Sequence, residues 1–193
     1  MLNIVTPTIH KLLDNFLEED IGRGDLTQSA ITEKVVGAYW ISKQAGIFCG
    51  GELVKCLYQR LDQSVKINLL KEEGAKIISG EKLIELTGPV SYLLAGERTA
   101  LNLAMHLSGI ATRTNELVLA LQGTGVSLTD TRKTTPGLRQ LEKYAVRCGG
   151  GMNHRLGLDD AAMLKENHIE WSNGIHQSIK RLRSTIPWTT KII

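Results

Sequence analysis

Five cationic or protonatable side chains occupy three short segments in the second half of the chain. Arg132 and Lys133 are adjacent, His154 and Arg155 are adjacent, and Lys165 follows them, with few carboxylates between. Arginine offers a planar fork that fits a carboxylate, and lysine is a point charge suited to phosphate. The set therefore predicts a site for an anion that carries several carboxylates or phosphates.

The first two segments also fit less specific interpretations. Arg132 and Lys133 could form a solvated turn, although the helix predicted after Gly137 would favour an anion at its N-terminus. The glycines at 149–151 could belong to a linker, but the surrounding sequence lacks the Gly-Ser monotony of one. They match no Walker pattern, so they are a weak signal for a phosphate loop.

The third segment follows two apolar residues and is predicted to lie in a buried strand. Lysine is rare in such a position unless it is paired or functional, and Glu166 could simply pair with Lys165. His168 is expected either to cap this strand or to orient a neighbouring site residue without touching the ligand. The carboxylates of Asp159 and Asp160 could suggest a metal, but a pair after a glycine turn more often caps a helix.

Hydrophobic spacing predicts the elements that position these groups. The first half is predicted to contain helices at 6–17 and 52–61, two short strands within 36–49, and strands at 65–70, 75–79 and 82–86. A long helix at 91–122 follows, with Ser91 as its N-cap and Gly109 as a possible break. Strands at 126–130, 162–165 and 189–193 then alternate with helices at 137–148 and 174–184. This alternation indicates βαβ units, in which functional groups lie at the C-terminal ends of strands.

Composition excludes several classes of protein. The net charge of +3 and the aromatic content of 5% argue against a nucleic-acid-binding protein. No apolar run reaches the roughly 20 residues that cross a bilayer, and the N-terminus lacks the pattern of a signal peptide. Cys49, Cys56 and Cys148 form neither a CxxC pair nor an even framework, which favours a reducing, cytoplasmic location. Cys148 is expected to be a small buried side chain at a helix end.

Seven segments together resemble the quinolinate phosphoribosyltransferase family, and they occur in the family's order. They are EDIGRGDLT at 19–27, GERTALN at 96–102, LSGIAT at 107–112, DTRKTTPGLR at 130–139, KYAV at 143–146, GGGMNHR at 149–155 and KENH at 165–168. The combination is far more specific than any one motif and spreads over the whole sequence.

The resemblance implies an α+β fold and a reaction. Residues 1–110 would form an N-terminal α/β sandwich domain with its long connecting helix, and residues 111–193 a partial α/β barrel that carries the catalytic site. Quinolinate and phosphoribosyl pyrophosphate would react to give nicotinate mononucleotide, pyrophosphate and carbon dioxide, with Mg²⁺ as cofactor. The family works as a homodimer, in which Arg98 would cross the interface.

The resemblance also implies a role for each basic residue. Arg132, His154 and Arg155 would bind the two carboxylates of quinolinate, and Thr131 would be a further substrate contact. Lys133 and Lys165 would be the catalytic residues, at the quinolinate and pyrophosphate ends of the site. The acidic residues that hold Mg²⁺ in the family are expected beyond Ile193, so no metal ligand is assigned within this sequence.

Two alternatives to the full enzyme remain. The sequence ends inside a predicted strand, and two βα units cannot close a barrel, so we expect a truncated chain or a core completed by something else. Such a chain could bind quinolinate or pair with another subunit without catalysis. A related pyrophosphorylase-like protein of molybdenum-transport operons is the other alternative, and competition by quinolinate would distinguish it.

Overall fold

The computed structural model describes residues 4–193, which contain six α-helices, a short 3₁₀ turn and five β-strands. The first half contains α1 (Pro7–Ile21), the 3₁₀ turn Gln28–Ala30, β1 (Val35–Ile41), β2 (Gly46–Ile47), α2 (Gly51–Leu61), β3 (Lys66–Leu69), β4 (Lys76–Ile77) and β5 (Lys82–Pro89). The second half contains α3 (Val90–Ala120), α4 (Arg139–Cys148), α5 (Glu166–Trp171) and α6 (Ile175–Thr185). No helix in residues 4–193 has the length and apolar character that a membrane crossing requires.

Helix α1 begins and ends where the local sequence predicts. The hydroxyl of Thr6 accepts a hydrogen bond from the Ile9 backbone N–H at 3.4 Å, and proline occupies the first turn. Ile9, Leu13 and Leu17 form its buried face. The helix continues four residues past the predicted end, to Ile21, because the apolar spacing persists until glycine 22 adopts a positive φ of 52°.

The five strands predicted in the first half are confirmed, and they form two antiparallel sheets. One sheet has the order β1-β5-β3, and β2 pairs with β4 in the other. In β5 the side chains of Leu83, Ile84 and Leu86 are buried, and Ile84 is fully enclosed. Gly88 allows the end of this strand to pass Val65, because an added Cβ would lie 2.9 Å from a Val65 methyl carbon. The three-stranded sheet therefore packs against α2 and α3, and the two-stranded sheet contacts α3 through β2.

Helix α3 is the central support of the molecule, and it is unbroken. Leu103, Leu107 and Ala111 are buried along the face that meets α2, β2 and α4. The predicted break at Gly109 is wrong: packing on both sides of this exposed position outweighs a glycine cost of about 1 kcal/mol. Ser91 is not the N-cap, because the helix starts at Val90 after Pro89 and Ser91 is buried inside its first turn.

The second half is less regular than predicted. The three predicted strands appear only as isolated parallel bridges, which join Thr129 to Met152 and Ala162 to Ile192. Helices α4 and α6 confirm the predictions at 137–148 and 174–184 within two residues at each end. The parallel direction is as expected, but each pairing is too short for a continuous ladder.

Three predictions for residues 159–168 are wrong: the buried strand at Lys165, the strand cap at His168 and the helix cap at Asp160. Lys165 does not lie in a buried strand; it is exposed and immediately precedes α5, a helix that the sequence patterns did not predict. His168 lies inside that helix, where its Nδ1 accepts a hydrogen bond from the Lys165 backbone N–H at 3.1 Å. Asp160 caps no helix and instead accepts a hydrogen bond from the Leu156 N–H at 2.8 Å within a turn.

Candidate functional site

The candidate site is built around a buried carboxylate. Asp130 forms an ion pair with Lys143, and their side chains are only 7% and 4% exposed. The same carboxylate accepts hydrogen bonds from the His154 backbone N–H at 2.7 Å and from the Asn153 side-chain amide at 2.6 Å. One acidic group thus joins the end of the first parallel segment, helix α4 and the segment that follows the three glycines.

Lys143 and Asn153 complete this network. The Lys143 ammonium donates to the His154 carbonyl oxygen at 3.0 Å, and the Asn153 amide donates to the Lys143 carbonyl oxygen at 2.8 Å. The backbone around His154 is therefore held at its N–H and at its carbonyl by partners that are themselves buried. Such supporting contacts fix the direction of a neighbouring functional side chain.

The hydrogen bonds of the loop orient His154 and Arg155. The Arg155 backbone N–H donates to Nδ1 of His154 at 2.8 Å, so Nδ1 is an acceptor and the proton of the neutral ring lies on Nε2. One arm of the Arg155 guanidinium, Nη1, donates to the Ala161 carbonyl oxygen at 2.7 Å. Both side chains are half-buried and line the same cavity.

That cavity has a volume of about 770 Å³ and a cationic wall. Its basic or protonatable lining residues are Lys143, Arg147, His154, Arg155 and Lys191. Asp160 is the single acidic residue among the described lining residues, and its carboxylate already accepts the Leu156 N–H. A cavity with this lining lowers the cost of removing an anion from water, because charge-assisted hydrogen bonds can replace the lost hydration.

The loop that carries Arg132 and Lys133 is held separately. The Lys133 N–H donates to the Thr131 hydroxyl at 3.0 Å, and the Thr135 N–H donates to the Glu142 carboxylate at 3.1 Å. Lys133 and Thr131 line a cavity of about 320 Å³, which shares Lys143 with the larger one. The two cavities therefore adjoin at Lys143.

Glu142 connects this loop to α3. Its carboxylate accepts from Thr135 and also lies 3.2 Å from Nε2 of His106. Burial raises the pKa of Glu142, but the hydrogen bonds from Thr135 and His106 outweigh it and leave the pKa below its usual range. The carboxylate therefore stays ionised and keeps its hold on the loop near neutral pH.

The predicted site residues divide into three groups. His154 and Arg155 share the larger cavity, and Thr131 and Lys133 share the adjoining smaller one. Arg132 is half-buried and lines neither cavity, and its Nε atom has no hydrogen-bond partner among the described residues.

Lys165 and Arg98 belong to neither cavity. Lys165 precedes α5 and is exposed, and Arg98 is exposed on α3. Within the described chain neither residue contributes to the wall of either cavity. The structure thus brings four of the seven predicted residues to two adjoining cavities.

Sequence reasoning missed the residues that organise the site. The sequence patterns place Asp130, Lys143 and Asn153 only within longer motifs, and they assign no role to Glu142, Arg147 or Lys191. The position of Lys143 carried a usable signal, because it lies among Leu141, Tyr144 and Ala145, all of which are buried in α4. A lysine among buried apolar residues is rarely found without a carboxylate partner.

The described residues around the cavities do not fit a protein-held magnesium ion. Magnesium prefers several oxygen ligands, usually carboxylates and water. The Asp130 and Asp160 carboxylates are already occupied by hydrogen bonds within the chain. The group of three candidate ligands that residues 4–193 do bring together is Cys49, Glu73 and Cys148, none of which lines either cavity.

The fold and the site together define the class: an α+β protein with a cationic cavity beside the ends of short parallel segments. Comparison with known proteins specifies the family. The model of the quinolinate phosphoribosyl transferase N-terminal domain matches residues 25–108, and that of the C-terminal domain matches residues 110–193. The chain belongs to the quinolinate phosphoribosyl transferase family.

Relatives and solved structures agree with this assignment. The chain is 49% identical over 176 residues to a probable nicotinate-nucleotide pyrophosphorylase [carboxylating] of Bacillus subtilis, covering 91% of this chain and 61% of the relative. The corresponding protein of Synechocystis is 44% identical over 181 residues, which cover 93% of this chain and 61% of the relative. The chain thus spans about three fifths of the length of these curated relatives.

The crystal structure of NadC from Streptococcus pyogenes superimposes with a TM-score of 0.91 at 37% identity, covering 97% of this chain and 69% of that one. A nicotinate-nucleotide pyrophosphorylase from Francisella tularensis gives 0.90 at 36% identity, covering 100% of this chain and 70% of that one. The predicted α+β fold, an N-terminal sandwich followed by the first part of an α/β barrel, is confirmed.

Proposed function

We propose that this chain serves the reaction named for its relatives, as a nicotinate-nucleotide pyrophosphorylase. In this reaction the phosphoribosyl group of phosphoribosyl pyrophosphate is transferred to quinolinate with decarboxylation. The products are nicotinate mononucleotide, pyrophosphate and carbon dioxide, as a step of NAD biosynthesis. The observation that carries the proposal is the cationic cavity, whose His154 and Arg155 are oriented by the buried Asp130–Lys143 pair.

Quinolinate is a planar dicarboxylate, and the cavity matches its charge. We assign the two carboxylates to the group formed by Arg132, His154 and Arg155, with Thr131 as a neighbouring contact. Arg155 reaches the cavity with a guanidinium already fixed through one nitrogen, so little further side-chain entropy is lost on binding. The unpartnered Nε of Arg132 is a donor that an anion would satisfy.

The reaction depends more on how the two substrates are positioned than on a reactive side chain of the protein. The ring nitrogen of quinolinate attacks C1 of the ribose as pyrophosphate leaves, and holding these atoms in line removes much of the entropic barrier. The glycosylated ring is cationic, so it accepts the electron pair left when the adjacent carboxylate departs as carbon dioxide. A proton then replaces that carboxylate on the ring carbon.

Two lysines are proposed as the catalytic residues of this reaction. Lys133, beside the smaller cavity, would stabilise charge at the quinolinate end. Lys165 would meet the pyrophosphate end, and its exposed position before α5 leaves its ammonium available to a phosphate. We further propose that Mg²⁺ accompanies phosphoribosyl pyrophosphate, since the described carboxylates beside the cavities are already engaged.

A homodimer in the cytoplasm is the setting we propose. Arg98 is exposed on α3 and absent from the cavity walls, as expected for a residue that serves the site of a second subunit. The three free cysteines are compatible with a reducing compartment. A net charge of +3 gives no support to nucleic acid as a partner, and we propose none, nor a membrane.

Quinolinate binding tests the proposal directly. Titration calorimetry of the 193-residue chain should detect binding, and Arg155→Ala and Arg132→Ala should each weaken it by about 10- to 100-fold, as loss of a charge-assisted contact costs about 1.5–3 kcal/mol. Arg113→Ala is the matched control, because Arg113 is exposed and pairs only with Glu116 on α3.

The outcomes separate the proposal from its alternatives. Unchanged affinity in both cavity variants would refute the assigned anion site. Binding without pyrophosphate release, when phosphoribosyl pyrophosphate and Mg²⁺ are added, would identify a chain that holds quinolinate but does not turn it over.

A further inference from the structure

A second cluster of reactive groups contains no residue that lines the two cationic cavities. Cys49 lies between β2 and α2, Glu73 lies in the loop between β3 and β4, and Cys148 is the last residue of α4. Their sulfur and carboxylate atoms all lie within 4.8 Å of one another. Cys49 is fully buried, Cys148 is 8% exposed and Glu73 is half-buried. The cluster therefore joins residues from both matched family regions.

Backbone contacts hold the carboxylate in place. Glu73 accepts hydrogen bonds from the Gly50 N–H at 2.8 Å and the Glu52 N–H at 3.1 Å, which belong to the N-cap and the first turn of α2. Glycine 74, at a φ of 82°, lets the loop approach α4 closely, because an added Cβ would lie 2.9 Å from the Cys148 carbonyl oxygen. The position of Glu73 is thus fixed independently of the thiols.

The thiols point toward each other and toward this carboxylate. The Cys148 thiol lies 3.9 Å from a Glu73 oxygen, within sulfur hydrogen-bond range. Three effects raise the pKa of the Cys49 thiol: its hydrogen bond with Cys148, its burial and the nearby Glu73 charge. The Cys49 thiol is therefore protonated when only protein surrounds it. Arg147 lies at the same end of α4, with its guanidinium carbon 5.7 Å from the Tyr144 ring centre.

We propose that Cys49, Glu73 and Cys148 form a binding site for a thiophilic divalent cation, with Zn²⁺ as the fitting ion. Two sulfurs and one carboxylate oxygen are ligands that zinc accepts, whereas magnesium and calcium prefer oxygen alone. Binding releases the two thiol protons to solvent and forms two metal–sulfur bonds and one metal–oxygen bond, with no oxidation or reduction.

The surroundings suit such an ion. Two thiolates and a carboxylate exceed the charge of a divalent cation by one, and the nearby Arg147 guanidinium offsets the excess. The hydroxyl of Tyr144 hydrogen-bonds to Cys148, a contact that would orient the thiolate on the metal. Because the ligands come from both matched family regions, the ion would link these two parts of the chain.

Metal content is the decisive measurement. The 193-residue chain is loaded with Zn²⁺, dialysed and assayed by plasma mass spectrometry, and one zinc ion per chain is expected. Cys49→Ser and Cys148→Ser should lose the ion. Cys56→Ser should keep it, because this third thiol lies 3.4 Å from Nδ1 of His10, in a different part of the core. Loading with Co²⁺ should give a thiolate-to-cobalt charge-transfer band in the wild type and in Cys56→Ser alone.

Each other result overturns the proposal. A wild-type chain with no more zinc than Cys148→Ser, or a cobalt band that persists in that variant, would refute it. A disulfide between Cys49 and Cys148 in non-reducing peptide mapping would show that oxidation, and not a metal, uses the pair. If the serine variants do not fold, the melting temperatures of chelator-treated wild type and Cys56→Ser decide. Zn²⁺ must raise the melting temperature of both proteins, and Mg²⁺ must raise neither. Equal shifts with Zn²⁺ and with Mg²⁺ would refute the site.

Discussion

Asp130 and Lys143 illustrate how a residue outside the anion-binding group can control it. Their side chains are 7% and 4% exposed, so each charge depends on the other for compensation. Asp130 also holds the backbone N–H of His154 and the amide of Asn153. Loss of the carboxylate would therefore affect the stability of the fold and the direction of the His154 side chain together.

Asp130→Asn tests the dependence of the fold on this pair. The substitution leaves the buried Lys143 ammonium with uncharged partners only, the new amide oxygen and the His154 carbonyl, and we expect the unfolding free energy to fall by about 3–5 kcal/mol. Urea unfolding measures the change. Glu116→Gln is the control, since it breaks an exposed pair with Arg113 and should cost under about 1 kcal/mol. Equal losses in the two variants would show that the buried pair contributes no more than a surface one.

The residue scale also shows what the sequence can predict. Arg132, Lys133, His154 and Arg155 could be selected from their types and spacing, because a cluster of cations has few other uses. The role of Asp130 could not be predicted from the sequence, because a single aspartate after a strand is common. Its three hydrogen-bond partners lie 13 to 24 residues away in the chain. Only the fold brings those partners together.

At the scale of elements, periodicity predicted helices better than parallel strands. Helices α1, α2 and α4 carry their own pattern, because each buries one face along its length. The parallel segments around Thr129 and Ala162 pair through one bridge each, so their existence depends on distant partners. Helix α5 was missed because it has six residues, none of them buried, and therefore no apolar face to detect. The predicted boundary between residues 110 and 111 falls inside α3 and stays a prediction.

Gly109 in α3 and Gly149 at the end of α4 give a matched pair of predictions for these two helices. Gly109 is helical, and an added Cβ would meet nothing within 4 Å, so Gly109→Ala should raise the unfolding free energy by about 0.5–1 kcal/mol. At Gly149 the Cβ would lie 2.4 Å from the Ala111 carbonyl oxygen, and Gly149→Ala should lower it by about 1–3 kcal/mol. Thermal unfolding of both variants measures the effects. Destabilisation by Gly109→Ala would contradict a continuous helix at this point.

At the scale of the whole molecule, the outer face of the β1-β5-β3 sheet is the surface we connect with the proposed dimer. Val35 is 71% exposed and Tyr39 is 54% exposed, while the intervening Val36 and Trp40 pack toward the core. Apolar side chains on one solvent-facing strand are typical of an interaction surface. A stable dimer requires roughly 800 Å² of buried surface on each partner, so the strands beside β1 would have to contribute to this interface.

Sedimentation velocity tests this assignment. The wild-type chain should sediment as a dimer, and a double variant with Val35→Lys and Tyr39→Thr should sediment as a monomer. Lysine places a charge on the interface, and threonine keeps the strand propensity while removing the aromatic surface. Ile78→Lys should remain dimeric, because Ile78 is 67% exposed just after β4, outside this sheet. Unchanged circular dichroism would show that the double variant is folded. A monomeric wild type would contradict the dimer, and a dimeric double variant would move the interface to another face of the molecule.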